Sequence, residues 1–219
     1  MSRIILSLML ISFVFVGCQT ADQKSCAKDG WIAMFDGQRL TGWKANEKEN
    51  CFTVKDGAIV VHDGRSHLFY VGTTGNAGFT NFEFKAEVMT EPGANSGIYF
   101  HTQYQDAGWP DAGYECQVNN THSDWRKTGS LYAVKDIRED IIKKIPLKDN
   151  EWFHYYIKVE GKHILIKIND QTLIDYTEPE NVNYPNMPGR KIASGTFALQ
   201  GHDPKSVVHF KNLMVKPLP

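Results

Sequence analysis

Polar and ionisable side chains recur at every second position in three short stretches of the chain. They are Tyr99, His101 and Gln103, then Glu115, Gln117 and Asn119, then Gln200 and His202. Because side chains alternate between the two faces of a β-strand, each stretch would present its polar residues on one face. Amide, imidazole and phenol groups with a single carboxylate are suited to hydrogen-bonding a polyol. We therefore predict a binding face here, with an ordinary solvated sheet face as the alternative.

The positions between these residues are mostly apolar, as the buried face of a sheet requires. They are Ile98, Phe100 and Thr102, then Tyr114, Cys116 and Val118, then Phe197, Leu199 and Gly201. Since this second set alternates with the first, we expect it to pack a hydrophobic core. The same three stretches would thus carry both a core face and a binding face.

Most of the remaining chain is also typical of strands separated by turn residues. Strand-like runs cover residues 52–54, 58–61, 82–89, 97–103, 114–119, 154–160, 163–169, 195–202 and 207–216. Asp56-Gly57 between the first two runs is a strong hairpin signal. Helical periodicity is confined to residues 136–144, ahead of Pro146, which ends a helix. This pattern predicts an all-β fold, a two-sheet antiparallel sandwich or jelly roll.

The amino-terminal segment is typical of a targeting signal. Arg3 precedes an apolar run at residues 4–16 that is too short to span a bilayer, and Phe15-Val16-Gly17 leads directly into Cys18. This arrangement resembles a bacterial lipoprotein signal, with acyl chains attached to Cys18 after cleavage. Plain secretion with a coincidental cysteine is the alternative. We expect a signal peptide at 1–17, a polar tether at 18–29 and one domain at 30–219.

Composition limits the classes of partner and cofactor. The 24 Lys and Arg residues are balanced by 25 Asp and Glu, a net charge of −1 that offers no basic field for nucleic acid. In an oxidising envelope, Cys26 could pair with Cys51, whereas Cys116 falls on an apolar phase and is expected to be buried and inert. No cysteine spacing indicates structural zinc.

Several motifs, in order along the chain, resemble the 3-keto-disaccharide hydrolase family. The similarity runs over roughly residues 30–217. It includes Trp31-Ile32-Ala33-Met34-Phe35-Asp36-Gly37 with Leu40 and Gly42-Trp43, Asn95-Ser96-Gly97-Ile98-Tyr99-Phe100, Gly113-Tyr114-Glu115-Cys116-Gln117, Thr128-Gly129-Ser130-Leu131-Tyr132, a strand end at Asn169, and Ala198-Leu199-Gln200 with His202. The resemblance implies a concanavalin-like jelly roll whose concave sheet holds a sugar. It also implies an envelope protein of a glycan-degrading bacterium, and with the signal at Cys18 we expect a lipid anchor at the periplasmic face or the outer-membrane surface.

The candidate face has too few carboxylates for ordinary glycoside hydrolysis. Retaining and inverting glycosidases use two carboxyl groups around the scissile bond. The face offers only Glu115, while Asp106 and Asp111 lie in a loop of unknown reach. A 3-keto sugar needs less, because the ketone acidifies the C2 hydrogen, and a base can remove it before the C1 substituent leaves. The substrate expected is therefore an oxidised glycoside, cleaved by elimination or hydrolysis.

Glu115 and His202 are the candidate catalytic residues, and either could be the base. The other, with Gln117 and Gln200, could orient the sugar or bind a divalent metal ion that polarises the ketone. The remaining candidate sugar contacts are Tyr99, His101, Gln103, Asn119 and Trp109, and the loop at 121–127 is expected to wall the cleft.

Structural roles and other functions remain open at this point. His202 could cap a strand and bond Gln200, Glu115 could pair with Lys135 or Arg138, and Trp109 could cover the edge of the sandwich instead of stacking on a sugar. The alternative function is a non-catalytic carbohydrate-binding lipoprotein that uses the same face. A structural module with a solvated face would have no pocket.

Overall fold

The computed structural model describes residues 28–72 and 77–219. The predicted signal peptide, Cys18, and the Cys26 half of the expected disulfide lie outside the described residues. Within them the chain forms thirteen strands and one short α-helix, α1 (Glu139–Ile142). The strands are β1 (Ile32–Ala33), β2 (Trp43–Ala45), β3 (Phe52–Lys55), β4 (Ala58–Val61), β5 (Ser66–Tyr70), β6 (Phe82–Thr90), β7 (Ser96–Thr102), β8 (Tyr114–Val118), β9 (Phe153–Glu160), β10 (His163–Ile168), β11 (Gln171–Thr177), β12 (Thr196–Gly201) and β13 (Val208–Pro217).

The strands form two antiparallel sheets. The larger sheet has eight strands, in the order β11-β10-β9-β6-β13-β4-β3, with β1 paired to β13. The smaller sheet has five strands, in the order β2-β5-β12-β7-β8. Several pairs of neighbouring strands, such as β6 with β13 and β5 with β12, are far apart in sequence, as in a jelly roll. The predicted all-β two-sheet sandwich is confirmed.

The core lies between the two sheets and is built from alternate residues of each strand. In the larger sheet, β6 shows the alternation most clearly, with Phe82, Phe84, Ala86 and Val88 buried and its intervening residues only partly buried. In the smaller sheet, Ile98, Phe100, Cys116 and Leu199 belong to the same core. The alternation predicted for β7, β8 and β12 is therefore confirmed on its apolar side, and Cys116 is buried as expected.

Four strands of the structure were not predicted, namely β1, β2, β5 and β11. In β5 all five residues are buried, so its sequence lacks the polar-apolar alternation that marks a half-exposed strand. Leu68 and Tyr70 face the core, whereas His67 and Phe69 face the other side of the five-stranded sheet. The single helix, α1, falls inside the predicted segment 136–144. Over the described ranges, no helix has the length and apolar character needed to traverse a membrane.

Candidate active site

A cavity of about 700 Å³ lies on the outer face of the five-stranded sheet, a size common for sites that bind small molecules. Its strand residues are Tyr99 on β7, Glu115 and Gln117 on β8, and Gln200 on β12, with His202 just after β12. Its loop residues include Asn95, Trp109, Pro110, Asp111, Asp124, Tyr132, Asn186, Met187, Pro188 and Arg190. Six of the predicted site residues are thus brought together: Tyr99, Trp109, Glu115, Gln117, Gln200 and His202.

His101 and Gln103 do not lie on this cavity, so the binding face ends earlier along β7 than predicted. His101 has a left-handed backbone (φ 58°), which breaks the alternation of the strand. Its ring packs against Phe82, Nε2 contacts the carbonyl oxygen of Thr80 at 2.9 Å, and burial lowers its pKa to about 4. Gln103 follows the last residue of β7 and is exposed to solvent.

Asn119 also lies off the cavity, where it shapes a loop. Its side-chain amide is fully buried and donates to the carbonyl oxygens of Asp124 (3.0 Å) and Arg126 (2.7 Å). The carbonyl oxygen of that amide faces Lys127 Nζ at 3.5 Å. Asn119 therefore holds the loop at 121–127, and through Asp124 this loop walls the cavity as expected.

Glu115 is the most deeply buried carboxylate of the cavity, at 4 % exposed. The Tyr99 hydroxyl donates to Oε2 at 2.8 Å and the Gln200 amide donates to Oε1 at 2.9 Å. Neither Lys135 nor Arg138, the structural partners considered from sequence, forms an ion pair with it. Burial raises the pKa of Glu115, against the lowering effects of the Tyr99 hydrogen bond and the Arg190 charge. The surroundings of Glu115 thus keep its carboxyl protonated to a higher pH than is usual for a glutamate.

The position of Gly97, in the motif at residues 95–100, leaves room only for a glycine. It pairs with Gln117 across β7 and β8. A Cβ atom at Gly97 would lie 2.6 Å from Oε1 of Glu115 and 3.0 Å from its Cγ. A side chain at this position would therefore displace the carboxylate.

His202 is oriented by its neighbour in sequence. Its Nδ1 lies 2.9 Å from Oδ2 of Asp203, which also accepts from the Ser206 hydroxyl at 2.6 Å. Although partial burial opposes the shift, the hydrogen bonds from Ser206 and His202 lower the pKa of Asp203 to about 2. Because ionised Asp203 can only accept, Nδ1 carries the proton and Nε2 keeps its lone pair. The bond from His202 to Gln200, considered from sequence as an alternative structural role, does not form among the described residues.

Aromatic rings flank His202 on two sides. The indole of Trp109 lies 5.6 Å from the imidazole, measured between ring centroids, and the His122 ring is also 5.6 Å away. Trp109 is 42 % exposed and lines the cavity, so it is placed to contact a ligand and not merely to cover the sandwich edge.

Sequence reasoning missed Arg190, which brings a buried positive charge to the cavity. The guanidinium donates to the carbonyl oxygen of Tyr132 and lies over the Tyr132 ring. Its loop is fixed by buried Glu178, which accepts from the Tyr114 hydroxyl and the backbone amide of Ile192. No periodic signal marks Arg190, because it lies in an irregular segment between β11 and β12.

Two further carboxylates reach the cavity from loops, in addition to Glu115 on the sheet face. Asp111 and Asp124 line its walls, whereas Asp106 does not. Neither wall residue is as buried as Glu115. Three carboxyl groups with different environments therefore surround the same space.

One group of side chains has the composition of a metal site, and it differs from the predicted one. His122, His202 and Asp203 have ligand atoms within 4.8 Å of one another, and Glu115 is not a member. Two imidazoles and a carboxylate suit a divalent transition metal. A bound ion would replace the present hydrogen bonds, since Asp203 already pairs with His202 and the Asp124 amide donates to His122 Nδ1.

Comparison with known proteins identifies the family. A family model described as a 3-keto-alpha-glucoside-1,2-lyase-like domain matches residues 30–216. The chain belongs to this family. The match confirms the resemblance found in the sequence motifs, and all the cavity residues of the 3-keto-alpha-glucoside-1,2-lyase-like domain fall within the matched range.

Individual relatives are similar over most of the domain. A "3-keto-disaccharide hydrolase" of Bacteroides thetaiotaomicron is 25% identical over 177 residues, which are 68% of this chain and 59% of the relative. The chain thus spans less than two thirds of that protein's length. A provisionally named glycosyl hydrolase of Parabacteroides distasonis has a TM-score of 0.72 at 23% identity, covering 87% of this chain and 95% of that one.

More distant structures show how widely this fold is used. The carbohydrate-binding module CBM66 of Bacillus subtilis has a TM-score of 0.56 at 15% identity, covering 80% of this chain and 96% of that one. A β-glucanase of Bacillus licheniformis has a TM-score of 0.54 at 10% identity, covering 86% and 97%. At these identities the likeness concerns the jelly-roll fold alone.

Proposed function

We propose that this protein is a glycoside-cleaving enzyme that acts on 3-keto-glycosides by removing the C2 proton and expelling the C1 substituent. The observation that carries the proposal is the meeting of Glu115, His202 and Arg190 in one cavity. A non-catalytic sugar-binding site would have no need for a buried carboxyl, an oriented imidazole and a buried guanidinium together. Family membership and the name of the Bacteroides relative support the same substrate class.

His202 is the base in this mechanism. With Nδ1–H held by Asp203, Nε2 has a free lone pair and makes no hydrogen bond within the described part of the chain. This nitrogen takes the C2 proton, and the electron pair of the C2–H bond moves toward the ketone to form an enolate. A carboxylate that fixes the tautomer of a histidine base is a recurring device of acid–base catalysis.

Negative charge then develops on the enolate oxygen and on the departing C1 oxygen, and we assign Arg190 to the first and Glu115 to the second. The guanidinium is a fixed positive charge for the enolate oxygen, which needs stabilisation most in the transition state. The enolate electrons return to form the C1–C2 double bond while the C1–O bond breaks, and Glu115 gives a proton to the departing oxygen. A raised pKa suits this role, because it keeps the carboxyl protonated to higher pH. Addition of water to the unsaturated sugar completes net hydrolysis.

A divalent ion would be a second source of positive charge. His122, His202 and Asp203 would hold it, and its chemistry would be polarisation of the ketone. In that case His202 would be a ligand, and Glu115 would be left as the base. Loss of turnover with a chelator and recovery with added Zn²⁺ or Mn²⁺ would show that the ion, and not Arg190 alone, supplies the positive charge that stabilises the enolate.

The substrate class is tested by matched substrates and a matched variant. The purified domain should cleave a 3-keto-glucoside and leave the parent glucoside, whose C2 hydrogen is not acidified, nearly untouched. His202→Ala should lower kcat about a hundred- to ten-thousand-fold, as loss of a general base does. Equal cleavage of the parent glucoside would instead favour ordinary hydrolysis by Glu115 with Asp111 or Asp124.

We also propose that the enzyme is held at the cell envelope by acyl chains on Cys18. This rests on the apolar run that ends in Gly17-Cys18, as in a lipoprotein signal. Residues 19–29 would then tether the catalytic domain at the membrane surface.

A further inference from the structure

His67 on β5 is a fully buried histidine whose polar atoms are unused. Its exposed fraction is 0 %, and neither Nδ1 nor Nε2 has a hydrogen-bond partner among the residues that the structure describes. Its surroundings are aromatic, with ring centroids of Tyr99, Trp109 and Phe69 at 5.5, 5.3 and 6.3 Å. Burial lowers its pKa to about 3, so the ring is neutral and offers one donor and one acceptor. An unpaired buried polar group of this kind costs stability.

A second unused polar atom lies beside it. Gln200 is the cross-strand partner of His67, so both side chains stand on the same face of the five-stranded sheet. The Gln200 amide nitrogen is occupied, because it donates to the Tyr99 hydroxyl at 3.1 Å and to Glu115 at 2.9 Å. Its carbonyl oxygen, Oε1, is buried and has no partner in the described part of the molecule. Two neighbouring residues therefore present unpaired hydrogen-bonding atoms next to Glu115.

Trp109 separates His67 from the open cavity, which Gln200 lines. Its indole packs edge-on against His67, yet 42 % of the residue is exposed. The tryptophan lies between β7 and β8 in a loop closed mainly by its own contacts, since the Gln105 amide donates to the carbonyl oxygens of Ala107 and Trp109. The turn contacts the segment that follows β2 through a long hydrogen bond, 3.3 Å, from Asn46 to the Gly108 carbonyl oxygen, and through Glu47 beside the Gly108 backbone. To uncover His67, the indole would have to leave its contacts with the His67 and His202 rings and with the Arg65 guanidinium.

We propose that His67 and Gln200 together bind one hydroxyl of the sugar. Trp109 covers this subsite in the present structure and would lie beside the sugar once the indole has moved. A hydroxyl can donate its one proton to Gln200 Oε1 while its oxygen accepts from the N–H of the His67 ring. This arrangement would pair both unused groups at once, and the indole, once displaced, would lie against the sugar ring as aromatic side chains do. The inference rests on the proposed function, because it takes the ligand to be a 3-keto-glycoside. His67 is then a specificity-determining residue.

The C4 and C6 hydroxyls are the candidates, because C2 and C3 take part in the reaction. Wild-type turnover should be compared on a 3-keto-glucoside and on its 4-deoxy and 6-deoxy forms. Removal of the bound hydroxyl leaves buried partners unpaired, so kcat/KM should fall about ten- to a hundredfold for one of the two deoxy substrates. Equal turnover of all three substrates would overturn the proposal without any variant.

Two variants at His67 identify the protein partner. His67→Phe removes both ring nitrogens, and His67→Gln keeps a donor and an acceptor. His67→Phe should lose about ten- to a hundredfold in kcat/KM on the full substrate and should lose nothing further on the sensitive deoxy substrate, because the two changes delete one interaction. His67→Gln should recover part of the loss. The thermal midpoint of His67→Phe should equal or exceed that of the wild type.

Other outcomes separate this inference from the proposed function. If His67→Phe is more stable and fully active, the histidine only packs against its neighbours and the subsite is refuted. If wild type cleaves no 3-keto-glucoside, calorimetric binding of the parent glucoside and its deoxy forms replaces turnover. Hydroxyl-dependent binding that disappears in His67→Phe would then support the subsite although the proposed chemistry had failed. Binding that is affected neither by loss of the hydroxyl nor by His67→Phe would overturn the proposed subsite.

Discussion

Replacing Glu115 by glutamine should preserve or raise the thermal stability of the protein while it lowers the catalytic activity. The change keeps the shape of the side chain and an oxygen that can accept from Tyr99, but it removes the buried ionisable group. Burial raises the pKa of Glu115 above its ordinary value of 4.5. The folding stability linked to this group is therefore fully present below pH 4.5 and is lost as the pH rises through the folded-state pKa. The glutamine variant has no such loss.

The size of the effect follows from linkage. Each unit by which the pKa is raised corresponds to about 1.4 kcal/mol of unfolding free energy lost at alkaline pH. In a domain of this size, 1 kcal/mol shifts the melting temperature by about 2–4 °C. At pH 8, Glu115→Gln should therefore melt as high as the wild type or a few degrees higher, and the two proteins should converge at low pH. Its kcat should nevertheless fall about a hundred- to ten-thousand-fold, because the acid is lost.

Melting curves and steady-state turnover, each measured from pH 4 to pH 9, would test the predicted effects on stability and on activity. In the wild type, activity should decline as rising pH deprotonates Glu115, and this decline should be absent from the residual activity of the variant. Asp106→Asn makes the same chemical change in an exposed residue that does not line the cavity, and it should alter neither property. A glutamine variant that is destabilised at pH 8 and active would refute the reasoning, since Glu115 would then be a structural anion.

Three further changes test other parts of the account. Arg190→Lys should lower kcat about a hundred- to a thousandfold with little change in KM, because an ammonium lacks the planar donors that would meet the enolate; an unchanged kcat would remove Arg190 from the mechanism. Gly97→Ala should fold but lose about a hundredfold in turnover as its Cβ displaces Glu115, which a crystal structure of the variant can check. Cys18→Ser should move the protein from the membrane to the soluble fraction without changing its melting temperature, and continued sedimentation with membranes would contradict the lipid anchor.

The fold and the centre of the site were open to prediction from local rules. Strict alternation in β7, β8 and β12 assigns Ile98 and Cys116 to the core and Tyr99 and Glu115 to the opposite face, because strand geometry leaves no other choice. The alternation fails at His101, where one left-handed residue turns the side chain away. Such a backbone conformation has no reliable signal in a histidine.

The parts that escaped prediction depend on tertiary contacts. Strand β5 is buried on both faces, so His67 sits in a run without alternation and gives no sign of facing a cavity. Arg190 and Asp124 come from loops whose positions are set by distant partners, Glu178 for one and Asn119 for the other. A sequence shows which groups are present, but it does not show which loops close over the sheet.

Removal of the C2 proton is the central claim, and a kinetic isotope effect measures it most directly. A 3-keto-glucoside carrying deuterium at C2 should be compared with the unlabelled substrate under kcat/KM conditions, with the wild type and with Arg190→Lys. The account predicts that deuterium slows cleavage severalfold, and more so in the variant, in which the enolate is harder to form. Equal rates for the two substrates in both proteins, with the C2 deuterium retained in the product, would contradict it and would point to direct displacement at C1.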